Sequence, residues 1–140
     1  MADPHLPLAL ASMGVVYVHG GTSHQRSDDL GFAVGIARFS GVYFLKADLR
    51  AGEGRSRVEV TVMARLFEHM TETLDALTDR QLVSIVEHGE VIPLIYDVTA
   101  AAARQVVAMT NTRIAIADTV QDADIHVLQR SGGEPDPDDE

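Results

Sequence analysis

Short apolar runs separated by polar loops and glycines fill the first third of the chain, and they constrain the fold more than any other feature. Residues 15–18 are β-branched or aromatic, and this run stops at His19 and two glycines. Residues 32–39 and 42–49 alternate apolar and polar side chains on either side of Ser40-Gly41, which predicts a β-hairpin. The fold is therefore predicted to begin with three strands.

The spacing of the apolar residues then changes. From Val58 they recur at every fourth position, which predicts an amphipathic helix over residues 57–74. Thr78 has the side chain of a helix N-cap, and Gly89 is typical of a helix end. A second, shorter helix is therefore expected between them.

The last third of the chain predicts a return to strands. Residues 91–96 form a short apolar run typical of a buried strand, Thr99 begins an alanine-rich helix to about residue 110, and residues 113–117 predict another strand. Residues 118–130 fit two patterns, because 123–127 alternate like a strand while the apolar positions also fit a helical stripe. This order predicts an α/β fold with a mixed five-stranded sheet. Three antiparallel strands would precede strand-helix-strand crossovers, with helices flanking the sheet.

Composition limits the classes of protein. A chain of 140 residues allows one domain, which we place at 14–130, after an extended arm (1–13) and before a disordered acidic tail (131–140). The absence of cysteine excludes disulfides and thiol chemistry. No apolar stretch reaches membrane length and no convincing signal peptide is present, so we expect a cytoplasmic protein with no membrane partner.

Five segments, taken in order, resemble the ribonuclease H family. Tyr17-Val18-His19-Gly20-Gly21 resembles that family's first strand, which ends in Asp-Gly-Gly or Asp-Gly-Ser, and residues 31–35 resemble its glycine-aromatic second strand. Residues 56–59 are similar to the segment that places a catalytic glutamate on the first helix. Residues 94–97 resemble the fourth strand, which ends in a catalytic aspartate. Residues 121–124 look like the start of the last helix, which carries the final acid.

This resemblance implies a metal-dependent endoribonuclease that hydrolyses RNA in RNA/DNA hybrids. Glu59, Asp97 and Asp124 would be the catalytic metal ligands, His19 would stand at the position of the central aspartate, and Mg²⁺ or Mn²⁺ would be the cofactor. Imidazole is a neutral, single-atom donor that suits Mn²⁺ better than Mg²⁺. The resemblance therefore implies an activity weakened by His19.

The arginines favour a nucleic-acid partner, whereas the excess of acidic residues opposes one. Arg50, Arg55 and Arg57 bracket one loop and are the candidate phosphate contacts. The formal net charge of −10, with a single lysine, would repel a phosphate backbone unless the arginines cluster on one face.

Two other hypotheses stay open beside the nuclease. The first is a catalytically degenerate ribonuclease H fold that serves as a binding or assembly module. The second is a small oligomeric α/β protein with a regulatory or structural role, which gains support if residues 123–128 form an edge strand that pairs with residues 113–117.

Overall fold

Five strands form one mixed sheet, and three helices pack on one of its faces. The computed structural model describes residues 8–22, 30–66, 71–110, 112–120 and 122–130. The strands are β1 (Leu10–Thr22), β2 (Leu30–Phe39), β3 (Val42–Glu53), β4 (Ser56–Leu66) and β5 (Ala123–Gln129). The helices are α1 (Thr71–Asp75), α2 (Asp79–His88) and α3 (Val91–Thr110). The expected α/β class with a mixed five-stranded sheet is thereby confirmed.

The strand order is β1-β4-β3-β2-β5. Strands β1 to β4 pair in antiparallel fashion, whereas β5 runs parallel to β2. A parallel pair needs a long crossover, and here the three helices and the segment after them provide it. Four antiparallel strands therefore precede the helices, where three were predicted.

Turn and cap chemistry is where the sequence predicted local structure well. The β2–β3 connection is the two-residue turn Ser40-Gly41, with φ values of 51° and 77°. Positive φ at both positions is typical of the type I′ turn, whose twist matches that of the strands. Thr78 caps α2 in a capping box with Gln81, and Gly89 ends the helix. Both predictions are confirmed.

The helix predicted over residues 57–74 is wrong for most of its length. Residues 56–66 form β4, and only the short helix α1 follows, after residues 67–70, which lie outside the described part of the chain. A spacing of four is a multiple of two, so apolar residues at every fourth position suit a strand as well as a helix. Val60 and Ala64 fill the intervening even positions and are also buried, which is the strand pattern.

The strand predicted over residues 91–96 is also wrong, because these residues form the start of α3. A short apolar run does not distinguish a buried strand from a buried helix. Pro93 is tolerated there because the first turn of a helix needs no donor from its backbone nitrogen. Thr99 lies inside α3 rather than at its N-cap, and its hydroxyl donates to the Ile95 carbonyl.

The remaining C-terminal segment differs from the prediction in two ways. Residues 113–117 form no regular secondary structure, although Ile114 is buried against the core. Residues 123–129 are a strand, which resolves the open choice for that segment, and its partner is β2 rather than residues 113–117.

The structure describes only part of the predicted N-terminal arm and none of the predicted acidic tail. Residues 10–13, predicted to belong to an N-terminal arm, lie in β1. The rest of that arm up to residue 7, and the acidic tail at 131–140, lie outside the described residues.

The core lies between one face of the sheet and the helices. Every second residue of β2, β3 and β4 points into it, and α3 supplies the largest apolar surface opposite. Phe32 of β2 meets Tyr96 of α3 edge to face, with ring centroids 5.0 Å apart. Contrary to the expectation that no apolar stretch reaches membrane length, α3 could cross a membrane by length and composition alone, a test that core helices of soluble proteins also pass. Eight of its residues are buried in this packing.

Arg130, directly after β5, fastens the last strand to the helices. Its guanidinium donates to the carbonyls of Leu74 and Leu77 at 2.8 and 2.7 Å and to Asp79 Oδ1 at 3.0 Å. It also donates to the Tyr43 hydroxyl, which in turn donates to Asp75. One side chain thus ties β3, β5 and both short helices together.

Candidate functional site on the open face of the sheet

The sheet face opposite the helices, here called the open face, carries most of the predicted site residues. Strand alternation places His19, Glu59, Arg50 and Asp124 on this face, because their neighbours along each strand point into the core. None of the described helices covers it. The open face is therefore the candidate functional surface.

His19 and Glu59 are brought together by strand pairing. They are register partners on β1 and β4, and Arg50 of β3 is the partner of Glu59 on its other side. Arg50 Nε lies 3.9 Å from Glu59 Oε1, and both side chains are well exposed. A loose, solvated ion pair of this kind contributes little to stability.

Asp124 lies far from this pair. It belongs to β5, and β2 and β3 stand between β5 and β4. Three strand spacings separate Asp124 from Glu59, which is about 14 Å. The row of residues across the sheet that contains Asp124 runs through Ala33 and Asp48 instead.

Asp97 is on the other side of the molecule. It is an exposed residue of α3, in the helical layer, and not the end of a strand as predicted. The misassigned secondary structure of residues 91–96 explains this error, because an aspartate that ends a strand reaches the sheet edge and one inside a helix does not.

The four predicted metal ligands therefore do not fit a two-metal centre. Such a centre needs carboxylates converging on two ions about 4 Å apart. Among the described residues no group of three or more His, Asp or Glu side chains could hold a metal ion. The Mg²⁺ or Mn²⁺ requirement stays a prediction that this geometry does not support.

The three candidate phosphate-binding arginines do not form one patch. Arg55 is exposed in the β3–β4 turn. Arg57 donates to the carbonyls of Gly54 and Ser56 at 3.1 and 2.8 Å, so its guanidinium is held against that turn. Arg50 is the one that lines a cavity of the open face.

A groove along β2, here called the β2 groove, is the main feature of the open face. Its volume is about 790 Å³. The floor consists of Gly31, Ala33 and Gly35, three alternate residues with almost no side chain. Longer side chains of β3 and of the β5 region form its two walls: Lys46, Asp48, Arg50, Asp122, Asp124, His126 and Leu128.

The groove has charges of both signs in a fixed arrangement. Lys46 and Arg50 stand on the β3 wall, and Asp122 and Asp124 stand on the opposite wall. Asp48 accepts a hydrogen bond from Thr61 of β4, which holds its carboxylate between the groove and a smaller depression of about 380 Å³. This arrangement can bind a ligand that carries charge and hydrogen-bonding groups along its length.

Sequence reasoning missed most of these groove residues. The alternation of Gly31, Ala33 and Gly35 within a predicted strand was the available signal, since small residues on one face of a strand leave space above it. Leu128 already occupies part of that space, because a Cβ at Gly35 would clash with the end of its side chain.

Comparison of this chain with protein-family models, curated proteins and solved structures finds no match. The functional argument therefore depends on the geometry of the open face.

Proposed function

We propose that this protein is a non-catalytic polypeptide-binding module whose β2 groove receives an extended segment bearing basic residues. The observation that carries the proposal is the groove itself, with a floor of Gly31, Ala33 and Gly35 between two walls. Its volume lies within the range typical of ligand sites, about 300–1,000 Å³. The floor runs along a strand, so the space suits a ligand that is long and narrow.

Charge favours a polypeptide over a nucleic acid. Among the described residues that line the groove, three are aspartates, one is a lysine and one is an arginine, and the whole chain has a formal net charge of −10. A phosphate backbone would meet net repulsion there, whereas a segment with lysine or arginine would find carboxylate partners.

The aromatic content of the groove supports the same choice. Proteins that bind single-stranded nucleic acids stack bases on exposed aromatic rings. Among the described residues that line the groove, Phe32 is the one Phe, Tyr or Trp, and it is buried and packs on Tyr96, while His126 adds one imidazole ring. The groove therefore supports an extended peptide better than a stacked base.

Fluorescence anisotropy with a labelled peptide of alternating valine and lysine tests this proposal. We expect it to bind, whereas a valine–aspartate peptide and an oligothymidylate of equal length do not. A Cβ at Gly31 meets no atom within 4 Å, so the backbone accepts a side chain there, and Gly31→Leu places one in the groove and should weaken binding at least about tenfold.

Gly14→Leu is the matched control, because Gly14 is also an open strand position but lies on β1, away from the groove. It should bind the peptide like the wild type. Equal binding by Gly31→Leu and Gly14→Leu, or no binding by the wild type, would refute the proposal.

A ribonuclease H-like nuclease is the second candidate function. The observation that favours it is that His19, Glu59 and Asp124 project from the same sheet face, with His19 and Glu59 as cross-strand neighbours. The RNA/DNA hybrid substrate and the ribonuclease H-like fold stay predictions, as does the cytoplasmic location.

A further inference from the structure

The free edge of β1 is the most exposed apolar surface of the described chain that lies on a strand. β1 is thirteen residues long and pairs with β4 on one side, and no described strand pairs with its other side. Val15, Val16, Tyr17 and Val18 are consecutive and between 46% and 60% exposed. An edge of this length presents a row of unpaired backbone donors and acceptors.

Both faces of β1 carry this apolar surface. Met13, Val15 and Val18 pair with residues of β4 that point into the core, so they lie on the helix side of the sheet, whereas Tyr17 lies on the open face. A strand that is apolar on both faces is typical of a position inside a larger sheet, covered on both sides.

The helical layer stops short of this row. α3 reaches β1 at Gly20, where an added Cβ would lie 2.5 Å from Val106 Cγ1. Met13, Val15 and Val18 lie further along the strand and are 39%, 46% and 48% exposed. These three side chains extend the apolar surface of the core past the part of the sheet that the described helices cover.

Charge is absent from β1. Its thirteen residues include no Asp, Glu, Lys or Arg, although the chain has a formal net charge of −10. Edge strands of monomeric proteins are protected from pairing by charges, proline or β-bulges, and β1 has two register shifts against β4 but no charge and no proline. Two acidic molecules repel each other least where neither presents negative charge, and β1 is such a strand.

We propose that β1 of a second copy of this chain pairs antiparallel with β1 and forms a two-fold symmetric dimer. Antiparallel pairing of a strand with itself is isologous, so each copy supplies the same apolar row and the same free backbone groups. The register shift between Val15 and Tyr17 leaves Val16 without a partner on β4. Val16 is also the most exposed residue of the run, and we place the two-fold axis near it.

The dimer would contain one continuous ten-stranded sheet. With the axis perpendicular to the sheet, the Met13, Val15 and Val18 rows of both copies lie side by side between the two helical layers. Both open faces point the same way. The proposed dimer goes beyond the proposed function, since the β2 groove lies toward the opposite edge of each sheet, next to β5.

Sedimentation equilibrium over a wide range of protein concentration tests the oligomeric state. The chain has a mass of 15.1 kDa, so a dimer has about 30 kDa (2 × 15.1). We expect the wild type to be dimeric and Val16→Lys to be monomeric, with an unchanged circular dichroism spectrum showing that the variant folds. Met109→Lys is the matched control, because Met109 is 84% exposed on α3 and should leave the dimer intact.

Cysteine variants give a second, independent readout, because the chain has no cysteine of its own. Val16→Cys should form a disulfide-linked dimer under mild oxidation, and Met109→Cys should not. A monomeric wild type at all concentrations would overturn the proposal. So would a dimer that Val16→Lys leaves intact. A third outcome is a monomeric wild type that binds the valine–lysine peptide and loses this binding on Val16→Lys. That result would overturn the dimer and assign the edge to a foreign polypeptide instead.

Discussion

Arg130 is the clearest case of one side chain that stabilises several elements. Its guanidinium donates to the carbonyls of Leu74 and Leu77, which lie at the end of α1 and just after it. Removing it takes the guanidinium donor from the Leu77 carbonyl and the Tyr43 hydroxyl, whereas the Leu74 carbonyl keeps the hydrogen bond from the Leu77 backbone nitrogen. A hydrogen bond to a charged group contributes about 1.5–3 kcal/mol, so the contacts of Arg130 outweigh those of an exposed arginine.

Arg130→Gln should therefore lower the free energy of unfolding by about 2–3 kcal/mol, measured by urea denaturation. Arg104→Gln is the control, because Arg104 is 44% exposed, its ion pair with Asp118 is solvated, and it donates to a single carbonyl, that of Ala117. We expect it to cost less than about 1 kcal/mol. Equal losses in the two variants would contradict this account of Arg130.

Ionisation of Tyr43 lowers the free energy of unfolding at alkaline pH. Burial raises the pKa of Tyr43 above its ordinary value of 10.0, the hydrogen bond to Asp75 raises it further, and Arg130 lowers it in part. Because the folded-state pKa is the higher one, this contribution is fully present below pH 10 and is lost as the pH rises through the folded-state value.

Tyr43→Phe should therefore show a weaker fall in the unfolding temperature above pH 10 than the wild type. Burial also raises the pKa of Tyr96, so part of the alkaline loss should persist in this variant. A Tyr43→Phe curve parallel to that of the wild type would refute the assignment.

At the scale of elements, the β-turn and the helix cap could be predicted from the sequence. The secondary structure of residues 56–66 and 91–96 could not. The Ser40-Gly41 turn and the Thr78 cap follow from short-range rules, because each depends on a few neighbouring residues. β4 was mistaken for a helix because a spacing of four fits both periods. Only the positions between, such as Val60, distinguish them, and their burial decides the matter.

The cap of α2 gives a direct test at this scale. Thr78 accepts a hydrogen bond from the Gln81 backbone, and the Gln81 side chain accepts one from the Thr78 backbone. Thr78→Ala should cost about 1 kcal/mol in unfolding free energy. Arg80→Ala, at an exposed position of the same helix, should change stability by less than about 0.5 kcal/mol. If the two losses are alike, the capping box is not what stabilises this end.

At the scale of the whole molecule, the sheet decides which predicted site residues meet. His19 and Glu59 are neighbours because β1 pairs with β4, a long-range pairing that no local pattern encodes. Asp124 is displaced because β2 and β3 separate β5 from β4. The sequence could indicate chemistry-bearing residues, whereas their separation depends on strand order.

The nuclease hypothesis makes the last prediction. Three strand spacings keep Asp124 at least about 14 Å from Glu59, too far for a shared metal pair. We therefore expect no hydrolysis of labelled RNA/DNA hybrid above the buffer rate in Mg²⁺ or Mn²⁺. Glu59→Gln should match the wild type, and His19→Asp should gain nothing, since an added carboxylate beside Glu59 still lacks Asp97 and Asp124. Hydrolysis by the wild type that Glu59→Gln abolishes, or activity gained by His19→Asp, would establish the nuclease instead.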